Sequence, residues 1–396
     1  ILVLYDAHST HVNTIDEHLR SFRLHSRHRV RYAAATGART AAANFSQFDA
    51  VVVHYSVRVN LETHLSPANV RALREYPGLK ILFMQDEYDT TETARRSIER
   101  LGIHIVYTCV PEPHIASIYP PQRFPSVEFV PTLTGFVPLN LASAGPPMRE
   151  RGTLIGYRGR NLPYWYGDLA REKLVIGQRM KDICAARNVP ADIEWDDAHR
   201  IYGPDWYRFL QRCKATLGTE SGSNLFDDHG SVRAAIEQSL QENPAATYEQ
   251  LRPALIAPYE GKVRMNQVSP RIFEAIACRT ALVLFEGDYS DVVKPGLHFI
   301  ALKKDFSNAD EVLERLHDDD FLEQMADRAF RDVIESGHHS YRAFVGAFDG
   351  LIDRHILTGG HRAAQPADGG FLPTTAFAIV AATGATYVTL LRAEAP

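Results

Sequence analysis

The sequence lacks the marks of several function classes. Its 396 residues hold only four cysteines, Cys109, Cys184, Cys213 and Cys278, widely spaced and each in an apolar context. Neither a disulfide framework nor a Cys-x-x-Cys metal pair is expected, and a reducing cytoplasm fits. Histidine is plentiful, but His338 and His339 are adjacent rather than four apart and no His-Glu-x-x-His occurs, so no metal site is expected. No Gly-x-Gly-x-x-Gly follows the opening ILVLYDA, which makes a dinucleotide oxidoreductase the least favoured reading. The last apolar run, TTAFAIVAATGATYVTLL, is studded with threonine and glycine and too polar for a membrane span. It leaves 358–396 as a tail of unknown role. A formal net charge of -5 gives no bulk electrostatic reason to bind nucleic acid or an acidic membrane, so a small-molecule site is the better expectation. The chain opens at Ile1 directly on a strand pattern, without a signal peptide, and reads as a segment that other domains could flank. The expected location is the cytoplasm, with a membrane-peripheral position left open.

What is present is alternation. A length of 396 residues with 45% hydrophobic content suits two domains with full cores. Apolar strand runs at 1–7, 48–56, 79–87 and 103–110 are separated by amphipathic helices such as 14–25 and 90–101, which predicts a Rossmann-like parallel sheet. A strand within 127–140 closes it. The stretch LASAGPPMRERG has no apolar period and predicts a linker at 141–151. A second series follows: strand 152–160, helix 173–187, strand 191–195, helix 205–212, strand 214–221, strand 281–285 and strand 298–302, then helices 310–316 and 321–334. A helical insertion is expected at 231–265, between strand and helix. The fold class is therefore α/β, two Rossmann-like domains facing a cleft, spanning 1–140 and 152–337. A last helix, 338–357, is expected to pack back on the first domain.

The densest stretch is QVSPRIFEAIACRTALVLFEG. Ser269 suits an N-cap and Pro270 the first helical position. Ile272, Phe273, Ile276 and Ala277 share a buried side, while Arg271 and Glu274 share another. Ala281 to Phe285 reads as a fully buried parallel strand. In such sheets ligands gather where strands end and helices begin, because free amides and the helix dipole attract phosphate. The stretch predicts an anion pocket with a carboxylate beside it.

Two such halves, with arginines ending the first strand of the second half (GTLIGYRGR) and a glutamate early in a late helix, resemble the GT-B glycosyltransferases. The similarity is to the retaining group that includes glycogen and sucrose synthases, and it is best over 203–316. The pattern departs from that family in Arg279-Thr280, where glycine and proline are usual, and in Asn266, where an earlier glutamate is usual. LGTESGSN supplies a strand, Glu220 and Gly222 instead, with the insertion separating the two acids. The resemblance implies transfer of a sugar from a nucleoside-diphosphate donor to a glycan, lipid-linked or protein acceptor, retaining and metal-independent, with no cofactor beyond that donor substrate. It implies catalytic roles for Arg158, Lys173 and Glu220, with Arg158 or Arg160 and Lys173 on the diphosphate. Glu274 would accept from the ribose hydroxyls, and Ser269 with the amides of Arg271 and Ile272 would complete the anion cradle beside Gly222. In the first half His8, His11, Asn13, His54, Asp86 and Glu87 are acceptor-side candidates on architectural grounds. The plainer readings stay open: Glu274 paired only with Arg271, Glu220 capping a turn, Asp227-Asp228 a solvated turn, and the whole a non-catalytic module that binds a nucleotide sugar.

Overall fold

The computed structural model describes residues 1–141 and 143–358. The expectation for 358–396 lies outside the described residues, except for Thr358. Along the first half run β1 (Leu2–Tyr5), α1 (Asn13–His25), β2 (Arg31–Ala34), β3 (Ala50–Val53), α2 (Pro67–Glu75), β4 (Leu79–Phe83), α3 (Thr91–Leu101), β5 (Ile105–Thr108), α4 (Ile115–Ile118) and β6 (Glu128–Pro131). They form a six-stranded sheet in the order β2-β1-β3-β4-β5-β6, parallel throughout. Strands covered on both faces need continuous apolar runs, and Val51, Val52 and Val53 are all fully buried.

The second half holds β7 (Thr153–Arg158), α5 (Gly167–Ala186), β8 (Ala191–Glu194), α6 (Pro204–Arg212), β9 (Cys213–Gly218), α7 (Ser231–Glu242), α8 (Tyr248–Leu251), α9 (Pro270–Ala277), β10 (Ala281–Phe285), β11 (Ile300–Leu302), α10 (Ala309–Arg315), α11 (Asp319–Ala329) and α12 (Tyr341–Thr358). Its five-stranded sheet, β11-β10-β9-β7-β8, is also parallel. The strand order reverses between β1 and β3 in the first sheet and between β7 and β9 in the second. Those are the positions where open α/β sheets leave a crevice beyond the strand ends. α12 returns to the first half. Phe344 and Phe348 pack against Phe22 of α1, and Val345, Phe348, Leu351 and Ile352 complete one face of the first core.

Several boundaries differ from the sequence reading. β2 was not visible as a strand, because it is an edge with no fully buried residue. α5 starts at Gly167 rather than 173, since its first turn is held by tertiary partners: Tyr248 Oη and the Arg252 guanidinium both donate to Asp168. Only Glu128–Pro131 of the expected 127–140 strand joins the sheet, and Val137 makes an isolated bridge to Ser340. The helix read as 321–334 widens into a π turn at Phe330–Glu335. The insertion is helical, but it also reaches the first half. Val263 and Met265 belong to the first half's core, and just before the insertion Asp227 forms a parallel bridge with Asp89. Thr90 N donates to Asp227 O (3.0 Å), Glu92 N to Asp228 O (2.9 Å), and the buried Arg95 guanidinium to Asp228 Oδ1 (2.6 Å). Asp227 and Asp228, which read as a solvated turn, are therefore the stitch between the two halves. Among the described residues no helix is long and apolar enough to cross a membrane.

Candidate functional site

At the reversal point of the second sheet lies a cavity of about 210 Å³. β7 ends in Tyr157 and Arg158, whose side chains leave on opposite faces as strand geometry requires. Gly159 then lets the chain pass close to α5 and β8: a Cβ there would meet Tyr157 Cε1 at 2.8 Å and both Lys173 O and Trp195 Cβ at 3.1 Å. Beyond it Arg160 lines the cavity. Lys173 enters from α5, Thr219 from the end of β9, Trp206 from α6, and Ser269, Arg271 and Ile272 from the start of α9. Five residues expected from the sequence thus meet in one place: Arg160, Lys173, Ser269, Arg271 and Ile272.

Lys173 is the best-placed cation. Its Nζ donates to Glu220 O (2.5 Å) and Thr219 Oγ1 (3.3 Å). Burial lowers its pKa to about 8, so it is charged at neutral pH with little to spare. Arg271 lies over the Trp206 ring at 5.1 Å, and its Nη1 donates to the carbonyl of Arg158. Three cations from separate elements therefore surround a pocket where no carboxylate side chain lines the wall.

Other expected residues are placed differently. Arg158 faces away from the cavity: its Nη2 pairs with Asp192 (2.8 Å), its Nη1 donates to Tyr157 O and Asp192 O, and its guanidinium covers the Phe209 ring at 4.4 Å. It ties β7 to β8 and α6. Arg158→Met should change nucleotide affinity by less than about twofold while costing about 1–3 kcal/mol of stability; isothermal titration and urea unfolding of the one variant check both. Glu274 does not line the cavity either. Its carboxylate accepts from Trp206 Nε1 (2.7 Å) and sits behind the indole, where burial raises its pKa. It fixes the ring rather than presenting an oxygen to a sugar. Ser269 has N-cap geometry, but its hydroxyl makes no capping bond, and its carbonyl accepts the amide of Ile272 (3.0 Å). That amide is not available to an anion, so Ile272 contributes apolar wall.

Beside the cavity opens a cleft of about 1010 Å³ between the halves, lined by Glu112, His114 and Thr132 on one side and by Glu172, Glu220, Asn266, Asp288 and Lys304 on the other. The two spaces adjoin where Lys173 meets Thr219 and Glu220. Glu220 is 5% exposed and faces the cleft, but its oxygens are occupied: Oε1 accepts from the amides of Asp288 (3.0 Å) and Tyr289 (3.1 Å), Oε2 from Asn266 Nδ2 (2.5 Å). It holds a turn in which Tyr289, Ser290 and Asp291 all have positive φ. Gly222, two residues on, has φ +93°, and a Cβ there would lie 2.0 Å from Met265 O, so its role is to let the backbones meet.

The first half offers a cavity of about 170 Å³ at the ends of β1, β3 and β4, lined by Ser9, Arg58, Asn60 and Asp86 among others. Asp86 is exposed, with φ +61° and a bond from Tyr88 Oη (2.5 Å). Glu87 turns inward and accepts from Thr108 Oγ1 (2.6 Å) and Cys109 N (3.0 Å); burial raises its pKa to about 7, and it pins β4 to β5. His11 and Asn13 are exposed and line none of these cavities, and His11 bonds its ring to His8 O. His54 is buried against His18 (3.0 Å) and Ser56, a packing role. Sequence reasoning missed Trp206, Thr219 and Asn266. Trp206 carried a usable signal, being three residues before Phe209 on one face of α6, where the two rings stack. Among the described residues, Glu194, Asp196 and His199 lie close enough together to hold a metal, but they sit at the end of the outer strand β8 and in the turn after it, and Glu194 is paired with Lys181 (2.6 Å).

Two parallel Rossmann-like sheets, a cleft between them, and a terminal helix that crosses back to the first constitute the GT-B architecture. No family model matches the chain, and no curated protein is significantly similar in sequence. Similar solved structures include TarM, at 13% identity over 77% of this chain, with a TM-score of 0.43; the chain spans 54% of TarM's length. An α-glucosyltransferase in complex with UDP and DNA is 11% identical, covering 89% of this chain and 98% of its own, with a TM-score of 0.49. Sucrose-phosphate synthase from Thermosynechococcus elongatus is 10% identical, with 90% and 99% covered and a TM-score of 0.43. These are likenesses of chain arrangement; what the site can do follows from its own residues.

Proposed function

We propose that the chain is a glycosyltransferase that takes a nucleoside-diphosphate sugar in the second half and passes the sugar to an acceptor in the cleft. The observation that carries the reading is the meeting of Arg160, Lys173 and Arg271 in one cavity at the reversal point of the second sheet, opening beside the interdomain cleft. Guanidinium and ammonium donors around one pocket, with Lys173 and Arg271 held by protein acceptors and Arg160 exposed at its edge, suit phosphate oxygens. They act most strongly when the leaving diphosphate gains charge in the transition state. The same cations supply the positive charge that a bound metal would otherwise supply, which supports a metal-independent reaction. The commitment of Glu220 to three donors argues against its use as a covalent nucleophile. Retention is carried by the resemblance to the retaining glycosyltransferases, and with no nucleophile it would proceed by front-face transfer. A glycan, lipid-linked or protein acceptor fits the size of the cleft.

The test is a thermal-shift screen with uridine, guanosine, adenosine and thymidine diphosphates, followed by release of nucleoside diphosphate from the matching sugar nucleotides. Stabilisation by one nucleotide together with its release during turnover supports transfer. Tight binding with neither hydrolysis nor transfer supports the second reading, a non-catalytic module, which the protein-bound state of both Glu220 and Glu274 favours. No stabilisation by any of the four refutes both.

A pH dependence follows from Lys173. The pKa is depressed to about 8 by burial, so the ammonium is present below that pH and lost as pH rises through it. The free-enzyme profile of kcat/KM should therefore fall on its alkaline side with a midpoint near that value. Lys173→Arg should move this limb beyond the measurable range, which a pH series of initial rates will reveal.

A further inference from the structure

Residues 20–31 contain Arg20, Arg23, Arg27, Arg29 and Arg31 and no acid, in a chain of net charge -5. All five arginines are exposed. α1 and α12 lie side by side and run in the same direction: His18 packs on Phe344 (5.0 Å between ring centres), Phe22 on Phe348 (4.9 Å), Ser26 Oγ donates to Asp349 (2.7 Å), and His28 meets Asp353 (3.1 Å). Their C-terminal ends therefore share the edge of the first half where β2 begins, the end of the sheet opposite the cleft. Two of the most exposed large apolar side chains lie on these helix ends, Leu24 at 56% and Leu357 at 84%. Arg20 has Asp16 at 3.6 Å and Arg27 pairs with Asp353, whereas Arg23, Arg29 and Arg31 form no ion pair among the described residues.

We infer that this end of the first half docks on an anionic membrane surface, with Arg23, Arg29 and Arg31 at the headgroups and Leu24 and Leu357 entering the interface. Overall charge argued against such contact, but attraction to a charged surface depends on what lies within about 8–10 Å of it. A local cluster can thus dominate a distant net negative charge. The two leucines distinguish a bilayer from a nucleic acid, because a phosphate backbone offers nothing to exposed aliphatic carbon, whereas an interface takes up basic residues and leucine together. The inference does not depend on the proposed activity.

The test is flotation of the full chain with phosphatidylcholine vesicles and with mixed phosphatidylcholine–phosphatidylglycerol vesicles. Binding should appear only with the anionic lipid and weaken as salt is raised. A basic residue near such a surface contributes about fivefold in partitioning, so the triple variant Arg23→Gln, Arg29→Gln, Arg31→Gln should bind about 100-fold more weakly with an unchanged melting temperature. Leu24→Ser should cost about tenfold through lost apolar burial. Equal binding to neutral vesicles, no binding to either, an unaffected triple variant, or a preference for duplex DNA over anionic vesicles at the same salt would overturn the inference.

Discussion

Lys173→Met should lower kcat/KM for the sugar nucleotide by about 10²–10³-fold, with most of the loss in kcat. The ammonium sits where β9 ends and is held by Glu220 O and Thr219 Oγ1, so it is aimed before any ligand arrives. A cation fixed in this way gains little on binding a ground-state diphosphate and more as the bond to the sugar breaks and charge collects on the phosphate. Methionine keeps the length and removes the charge. The stability readout makes the result specific: burial already penalises this ammonium, so its removal should leave the melting temperature unchanged or raise it. Lost activity with retained or improved stability points to the chemical role. Full activity with bound nucleotide would remove Lys173 from the reaction and leave Arg160 and Arg271 as the phosphate ligands.

The way these residues were or were not legible in the sequence follows the range of the interactions that place them. β3 and β10 were readable because burial on both faces writes an uninterrupted apolar run into local sequence, and all five residues of β10 are buried. Arg160 and Arg271 were picked out because strand ends and helix starts are themselves local features, whereas Lys173 lies well inside α5, which begins at Gly167. Arg158 is placed outside the cavity: the choice between it and Arg160 depends on where the strand ends and which face each side chain takes, and Arg158 is drawn to Asp192 and Phe209, partners that local sequence does not name. The orientation of Glu274 is set by Trp206, 68 positions earlier, and no periodicity within α9 reports such a partner. Asp227 and Asp228 show the limit most clearly. Polar, short and followed closely by Gly230, they have the composition of a surface turn, yet their backbones pair with Tyr88, Thr90 and Glu92 across the two halves. Main-chain pairing is indifferent to side-chain type, so composition carries no trace of it.

Glu220→Ala should destabilise the protein by about 3 kcal/mol, whereas Glu220→Gln should cost less than about 1.5 kcal/mol and keep activity within about tenfold of the parent. Alanine leaves the amides of Asp288 and Tyr289 and the Asn266 carboxamide without their acceptor, beside a turn whose three positive-φ residues depend on that anchor. Ser290 is also engaged there, accepting from Val268 N through its hydroxyl, so a loosened turn would disturb the approach to α9 and to the donor cavity. Glutamine keeps one oxygen for the two amides. Its new NH2 group would meet Asn266, whose buried Oδ1 has no partner and can turn to accept from it. The pair of variants therefore separates two roles that a single deletion would confuse. Urea unfolding ranks their stabilities, and initial rates rank their activities. If Glu220→Gln unfolds like the parent but transfers sugar more than about 100-fold more slowly, the carboxylate acts in the chemistry, and the front-face mechanism without a protein nucleophile must be abandoned.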